Sequence, residues 1–421
     1  MHRVPCASTL THLAATPLIA APDSPATEPP ATSRWLVANL LAAIAYGLLS
    51  MTVCLPSMPQ WTELFAASQA EVQLTFSSFV VAFGGAQLVY GPLSDRYGRR
   101  RLLVAGFALA ALGSLACAMA GSLGALIAAR FVQGAGAAAG MVLGRAMVQD
   151  FFQRAERPRI MAYTGMILGI CPPLATLIGG QFHVHLGWRA NFVLAALVAL
   201  VLLASTSRLL PADAPGRRGE AHWLAEFFAA YATLLRLPAF LAYTAMLGMC
   251  TGTFYAFLAG VPVVLAGYGV GPATIGWFIM FPPLFYILGN FLVSRLVRHI
   301  SNERLILYGQ LTALTGIGIV LALALLGVRS PFAVAVPLAL LGLGHGLMMP
   351  STLAGTVSLV PALAGAAAAG AGLAQQLFGA VGGYAVGLVP HDGALNLALL
   401  MGCFMSLSLV CQVLLLPRGE R

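Results

Sequence analysis

Long apolar stretches alternate with short polar ones along most of the chain. From residue 35 onward the apolar stretches run close to the ~20 residues that a helix needs to cross a bilayer. The pattern predicts helices over residues 35–56, 72–92, 102–121, 123–147, 159–181, 189–208, 239–261, 273–297, 304–327, 332–352, 363–388 and 393–416. The longest polar interruption, residues 209–237, follows the sixth of these and divides the set six and six. Its second half, HWLAEFFAAYATLLRL, is amphipathic and is expected to rest partly on the membrane surface. Ahead of the first span, the segment APDSPATEPPATS buries too little apolar surface to fold and predicts a disordered tail over 1–33. The apolar run Leu13–Ala21 in that tail is short and interrupted by Pro17, which argues against a signal peptide. The expected fold class is thus an all-α membrane protein with twelve transmembrane helices. Its units are the tail, a six-helix bundle over 34–208, a linker over 209–237 and a second six-helix bundle over 238–421.

Composition supports lipid as the solvent: 59% of the residues are hydrophobic and 8% are charged, against about 25% charged in a soluble domain. The 22 cationic residues are all arginine. Without lysine there is no Gly-Lys-Ser/Thr phosphate loop and no Schiff-base nucleophile, so the chain is not its own P-loop ATPase. The seven cysteines are scattered without a CxxC pair and read as small apolar side chains, with no metal site implied. No His-Glu-x-x-His and no paired intramembrane aspartates suggest an enzyme.

The net charge of +9 does not read as a nucleic-acid footprint, because the arginines fall in clusters between apolar spans. Arg96, Arg99, Arg100 and Arg101 follow the second span, Arg154, Arg157 and Arg159 the fourth, and Arg217, Arg218 and Arg236 lie in the linker. The alternate loops hold little beyond Arg189 and Arg329. Cationic loops stay on the cytoplasmic side, so both termini and the linker are expected there.

One cluster has a specific order of residue types. Gly91-Pro-Leu-Ser-Asp95-Arg96-Tyr-Gly98-Arg99-Arg100 resembles the G-x-L-[AS]-D-R-x-G-R-R signature of the major facilitator superfamily. Gly91 and Gly98 are expected to serve a tight turn between closely packed helices. A fourth-span stretch, Arg130-Phe-Val-Gln-Gly134-Ala-Gly136, continuing through Arg145 to Asp150, resembles the drug-exporting branch. On the fifth span, Gly165, Gly169, Pro172, Pro173, Gly179 and Gly180 resemble its antiporter motif, with Thr176 where relatives often have proline. Leu55-Pro56-Ser-Met-Pro59 and the run from Pro361 to Gly370 look like the bicyclomycin and chloramphenicol resistance (Bcr/CflA) branch. A fainter arginine-rich turn, NFLVSRLVRHISNERL, follows the eighth span as the signature follows the second, as expected of parallel half-repeats.

The resemblance implies a proton-driven antiporter of small lipophilic compounds in a bacterial inner membrane. It would act as a monomer, without cofactor or nucleic acid, and confer antibiotic resistance. It implies that Asp95, Arg99 and Asp150 form a cytoplasmic latch, with Gly91, Arg96, Gly98 and Arg100 completing the motif. Polar residues at mid-span positions supply candidates for the substrate cavity: Tyr46, Arg130, Tyr255, Tyr286, Asn290, Gln375 and Gln376. Thr52 stands where the branch commonly has an aspartate, and none of the thirteen acids lies deep in a predicted span. His345 is the remaining mid-span group that could carry a proton, since imidazole titrates near neutrality in water. Without such a group, an uncoupled facilitator or metabolite exporter of the same fold is the alternative.

Overall fold

The computed structural model describes residues 34–153, 156–211 and 223–415. The tail 1–33 and the first half of the linker therefore lie mostly outside the described residues. Helices account for the regular structure throughout, and no strand occurs among the described residues. The spans are Arg34–Thr52, Gln69–Tyr97, Arg99–Met119, Leu123–Phe151, Arg157–Leu186 and Arg189–Leu209 in the first half. In the second half they are Pro238–Gly267, Pro272–Leu296, Asn302–Leu325, Pro331–Ser358, Ala364–Gly387 and Leu395–Leu415. Eleven of these stretches are long and apolar enough to cross a membrane. The remaining helix, Ala364–Gly387, is rich in alanine and glycine and packs against spans two and seven.

Proline accounts for the interruptions, because it removes a backbone donor and crowds the preceding turn. Span one ends at Thr52 and continues as the short helices Leu55–Ser57 and Met58–Leu64, with Pro56 and Pro59 at their starts. Span eight breaks between Ile279 and Phe281, just before Pro282 and Pro283. Span ten breaks between Ala335 and Leu338, at Pro337. Serines cap several starts; Ser68 and Glu71 form a reciprocal capping box at the start of span two.

Spans one to six pack among themselves, as do spans seven to twelve. Span four is central to the first bundle. A Cβ at Gly134 would collide with the backbone of Phe79, one at Gly136 with Ala110, and one at Gly140 with the carbonyl of Ala43. Small residues let backbones approach this closely, and dispersion between them stands in for the hydrophobic force that lipid cannot provide. The outward faces keep large apolar side chains exposed, among them Leu112, Val201, Phe291 and Val381, as a lipid-facing surface requires.

The bundles meet along two seams, span two against span eleven and span five against span eight. A Cβ on Gly84 would lie 2.5 Å from Gln376 Cβ, and one on Gly387 2.5 Å from Ala70 Cα. Ser77 donates to the Ala380 carbonyl at 2.9 Å across the first seam. On the second seam a Cβ at Gly180 would strike the Pro272 carbonyl, and one at Gly276 would lie 2.7 Å from the Leu177 nitrogen. The linker helix Trp223–Leu235 is not simply laid on a surface: Leu234 is buried against Phe240 and Ala367, beneath span eleven.

Candidate functional site

Between the bundles lies a cavity of about 850 Å³. Spans one, two, four and five line it from one side, spans seven, eight, ten and eleven from the other. It reaches from Tyr255, His345 and Gln376 to Asp95 at the span-two terminus, where Ala230 and Tyr231 of the linker helix also border it. At the opposite end the two seams bring the backbones together. The cavity is therefore accessible from the Asp95 end and closed at the other.

Four of the seven predicted cavity residues lie on its wall: Tyr255, Tyr286, Gln375 and Gln376. Tyr255 donates to Gln376 Oε1 at 2.9 Å, which joins spans seven and eleven and leaves the Gln376 amide nitrogen available. Tyr46, Arg130 and Asn290 do not line it. Tyr46 is buried in the first bundle, where its hydroxyl donates to the Ala195 carbonyl at 3.2 Å and its ring packs edge-on to Phe107. Asn290 turns back to donate to the carbonyl of Tyr286 at 2.9 Å.

Arg130 is fully buried inside the first bundle. It donates to the Ser50 carbonyl at 2.9 Å, the Thr75 carbonyl at 3.3 Å and Gln133 Oε1 at 2.6 Å, and lies 4.3 Å from the Phe79 ring centre. Its neighbours on the helix surface are Gln133 and Gly134, and Gly134 is the residue that presses on Phe79. Depth along the helix was readable from sequence, but the face was set by packing. Among the described residues, the arginine that does reach the cavity is Arg145. It shares its face with Met141 and Val142, both cavity-lining, and lies across from Tyr286 of span eight, close enough to interact electrostatically. Its membership of the run Arg145–Asp150 was the only sign of it in the sequence.

The signature is mostly helix. Span two continues through Asp95 and Arg96 to Tyr97, and the turn is the single residue Gly98, at φ 98° and ψ 139°. That backbone suits glycine alone without strain. Gly91, expected in the turn, lies inside span two and a Cβ there would meet nothing within 4 Å. Asp95, Arg99 and Asp150 come together: Arg99 Nε is 2.8 Å from Asp150 and its terminal nitrogen 3.5 Å from Asp95. All three belong to the first bundle, so the network by itself spans no gap between halves. Their side chains are 71%, 28% and 42% exposed, so solvent screens the pairing. Arg96 lies over the ring of Tyr97, and Arg100 donates to the Ser207 carbonyl of span six.

On span five, Pro172 and Gly169 line the cavity, and Pro173 lies beside them within the helix. A Cβ at Gly169 would come 2.9 Å from Ile287 of the other bundle, and one at Gly179 would collide with the carbonyl of Val53. Gly165 has open space instead, so no close helix contact requires glycine there. Thr176 donates to the Pro172 carbonyl at 2.7 Å, a bond a second proline could not make. Thr52 is buried and donates to the Leu48 carbonyl at 2.8 Å within its own helix. His345 is 3% exposed on the cavity wall. Its ring sits edge-on to Phe254, 6.2 Å between centres, and its Nε2 has no hydrogen-bond partner. No His, Cys, Asp or Glu cluster suited to a metal ion occurs among the described residues.

Comparison with known proteins agrees with this arrangement. The chain is 26% identical to Multidrug resistance protein D of Escherichia coli (strain K12), over 91% of this chain and 96% of that protein. It is 26% identical to the Bicyclomycin resistance protein homolog of Haemophilus influenzae, over 89% of this chain and 96% of the relative. Its fold is similar to the crystal structure of peptide transporter POT in complex with sulfate, with a TM-score of 0.74 at 17% identity, covering 90% of this chain and 93% of the other. The model of the Major Facilitator Superfamily matches residues 38–383. A multi-pass helical chain with two bundles around a central cavity, carrying the family's signature after its second span, is a member of the Major Facilitator Superfamily.

Proposed function

We propose that the protein exports small lipophilic compounds, drugs among them, by alternating access as a monomer. The observation that carries this reading is the cavity of about 850 Å³, reachable from one end and closed at the other by glycine-based seams. Its wall is predominantly apolar with a few convergent polar groups, which suits such solutes. The names of the resistance-protein relatives point the same way. The arginine clusters support a cytoplasmic location for the Asp95 end, the linker and both termini. Uptake of a drug panel into inverted vesicles tests this reading. Activity above that of vesicles lacking the protein is expected for neutral lipophilic compounds, and its absence across the panel rejects the proposal.

The proposed coupling is proton antiport through His345, a residue of the cavity wall whose buried ring nitrogen has no hydrogen-bond partner. His345→Gln is expected to retain downhill solute exchange and to lose accumulation driven by an imposed pH gradient. Loss of both activities would assign the histidine to structure. Wild-type indifference to the gradient would favour an uncoupled facilitator, the reading that the lack of a mid-span acid supports.

The Asp95–Arg99–Asp150 network is proposed to set the cytoplasmic gate by fixing the ends of spans two, three and four. Because it is exposed, Asp95→Asn is expected to cost at most ~1 kcal/mol of stability. It should nevertheless abolish export, since Asp95 sits on the cavity rim. Wild-type export rates in a stably folded Asp95→Asn protein would remove the network from the mechanism.

A further inference from the structure

We infer that Arg145 is an anion-recognition site in the central cavity, so that the preferred solute is an amphipathic anion: an apolar body bearing one carboxylate or similarly delocalised acidic group. This deepens the exporter reading and rests on it for the route of the solute.

Arg145 lies on span four, on the wall of the cavity. It is five residues before Asp150 on the same helix, which at 1.5 Å per residue places it about 7–8 Å farther into the protein. It is exposed and lines the cavity, so the water it meets is that of the cavity. No side chain forms an ion pair or a hydrogen bond with it among the described residues. The contrast with Arg130 is direct. Arg130 exhausts most of its donors on carbonyls and Gln133 inside the bundle and is sealed from the cavity. Arg145 presents a planar fork of donors to an open space and nothing in the protein fills it. A guanidinium held this way matches a carboxylate through two parallel hydrogen bonds.

The remaining polar groups of the wall agree. Tyr286 stands across from Arg145 on the opposite bundle, and Gln375 and Gln376 supply amide groups. Apart from Asp95 at the rim, no carboxylate lines the cavity among the described residues. Asp95 is itself engaged by Arg99 at 3.5 Å. Phe83, Leu168, Phe254 and Met349 offer the apolar part of a solute its surroundings. A lipophilic cation would meet an uncompensated positive charge on the cavity wall, which disfavours it. An exported anion also moves down an inside-negative membrane potential, so its export has an energy source that requires no titrating acid in the cavity.

The test is equilibrium binding to the purified full-length protein with two isosteric probes, 1-naphthoate and neutral 1-naphthamide. The wild type is expected to bind naphthoate at least about tenfold more tightly, as a charge-assisted bidentate pair implies. Arg145→Gln should remove that preference and leave naphthamide binding unchanged, which also verifies that the variant is folded. Arg145→Lys should restore part of it. Equal affinity of the wild type for both probes, or an equal loss of both in Arg145→Gln, overturns the assignment. Binding is read without transport, so these outcomes stand apart from the vesicle assay: export indifferent to solute ionisation and to Arg145 would leave the exporter reading standing and reject this one.

Discussion

Gly276→Leu is expected to abolish export while leaving folded protein in the membrane. Gly276 lies in the first half of span eight, where an added Cβ would come 2.7 Å from the Leu177 nitrogen and 2.8 Å from its Cα on span five. Those are backbone atoms of the other bundle, which cannot rotate aside as a side chain would. Overpacking a close contact of this kind costs ~1–3 kcal/mol. The seam at this end closes the cavity in the present arrangement, so the cost falls on this arrangement alone if the helices part in its counterpart. A shift of that size moves a two-state population about 5- to 150-fold, because ~1.4 kcal/mol is tenfold. A protein held open at this end cannot complete the cycle. Labelling supplies the conformational readout. Ser77 is 7% exposed and bonded to Ala380 across the neighbouring seam. A Ser77→Cys substitution should react with a membrane-impermeant maleimide faster in the Gly276→Leu background than in the parent. Gly165→Leu is the matched control, since a Cβ there meets nothing within 4 Å. Unaltered export by Gly276→Leu would show that this seam stays closed throughout the cycle.

The legible part of the fold was the part governed by solvent. An apolar stretch of bilayer length identifies a helix with little ambiguity, and the observed starts lie within three residues of the predicted ones, while spans two, five, seven and ten run five or six residues further at their ends. The breaks in spans eight and ten were harder to place, because proline can kink, start or simply sit within a helix, as Pro92, Pro262 and Pro350 do here. The signature after span two was legible as an order of residue types. That most of it is helix, with Gly98 alone making the turn, was not, since polar residues at a membrane edge look alike in a helix and in a loop. For the cavity, sequence gives depth and not direction. Arg130 and Tyr46 lie at cavity depth and face the interior of their own bundle, whereas Arg145, legible only as part of the fourth-span motif ending at Asp150, faces the cavity. One signal was present in the sequence: Gly134, four residues after Arg130, marks the packed face of span four, and a charge on that face is committed to the protein.

That commitment leads to the largest loss of stability expected from a single side chain here, at Arg130. The guanidinium is fully buried, and no acid pairs with it among the described residues. What offsets its desolvation is a set of dipoles and a ring: the carbonyls of Ser50 and Thr75, Gln133 Oε1 at 2.6 Å, and the face of Phe79 at 4.3 Å. Through those carbonyls it ties spans one, two and four together. Gln133 also donates to Ser114 at 2.8 Å, so the network continues into span three. Arg130→Met preserves much of the apolar stem but leaves Gln133 Oε1 without its charged donor in a dry interior. Each buried acceptor left unsatisfied costs ~1–3 kcal/mol, and the loss of several linked partners is expected to total ~3–5 kcal/mol. Arg130→Lys should recover only part of this, because a single ammonium cannot reproduce the spread by which Nε serves the Thr75 carbonyl while one terminal nitrogen serves the Ser50 carbonyl and Gln133. The prediction is therefore a graded fall in denaturation midpoint of detergent-solubilised protein, wild type above Arg130→Lys above Arg130→Met, accompanied by loss of membrane yield. Solute charge preference should be unaffected in whatever Arg130→Lys protein folds, since the cavity charge is Arg145. An Arg130→Met protein as stable as wild type but inactive would contradict the structural role and return Arg130 to the transport cycle itself.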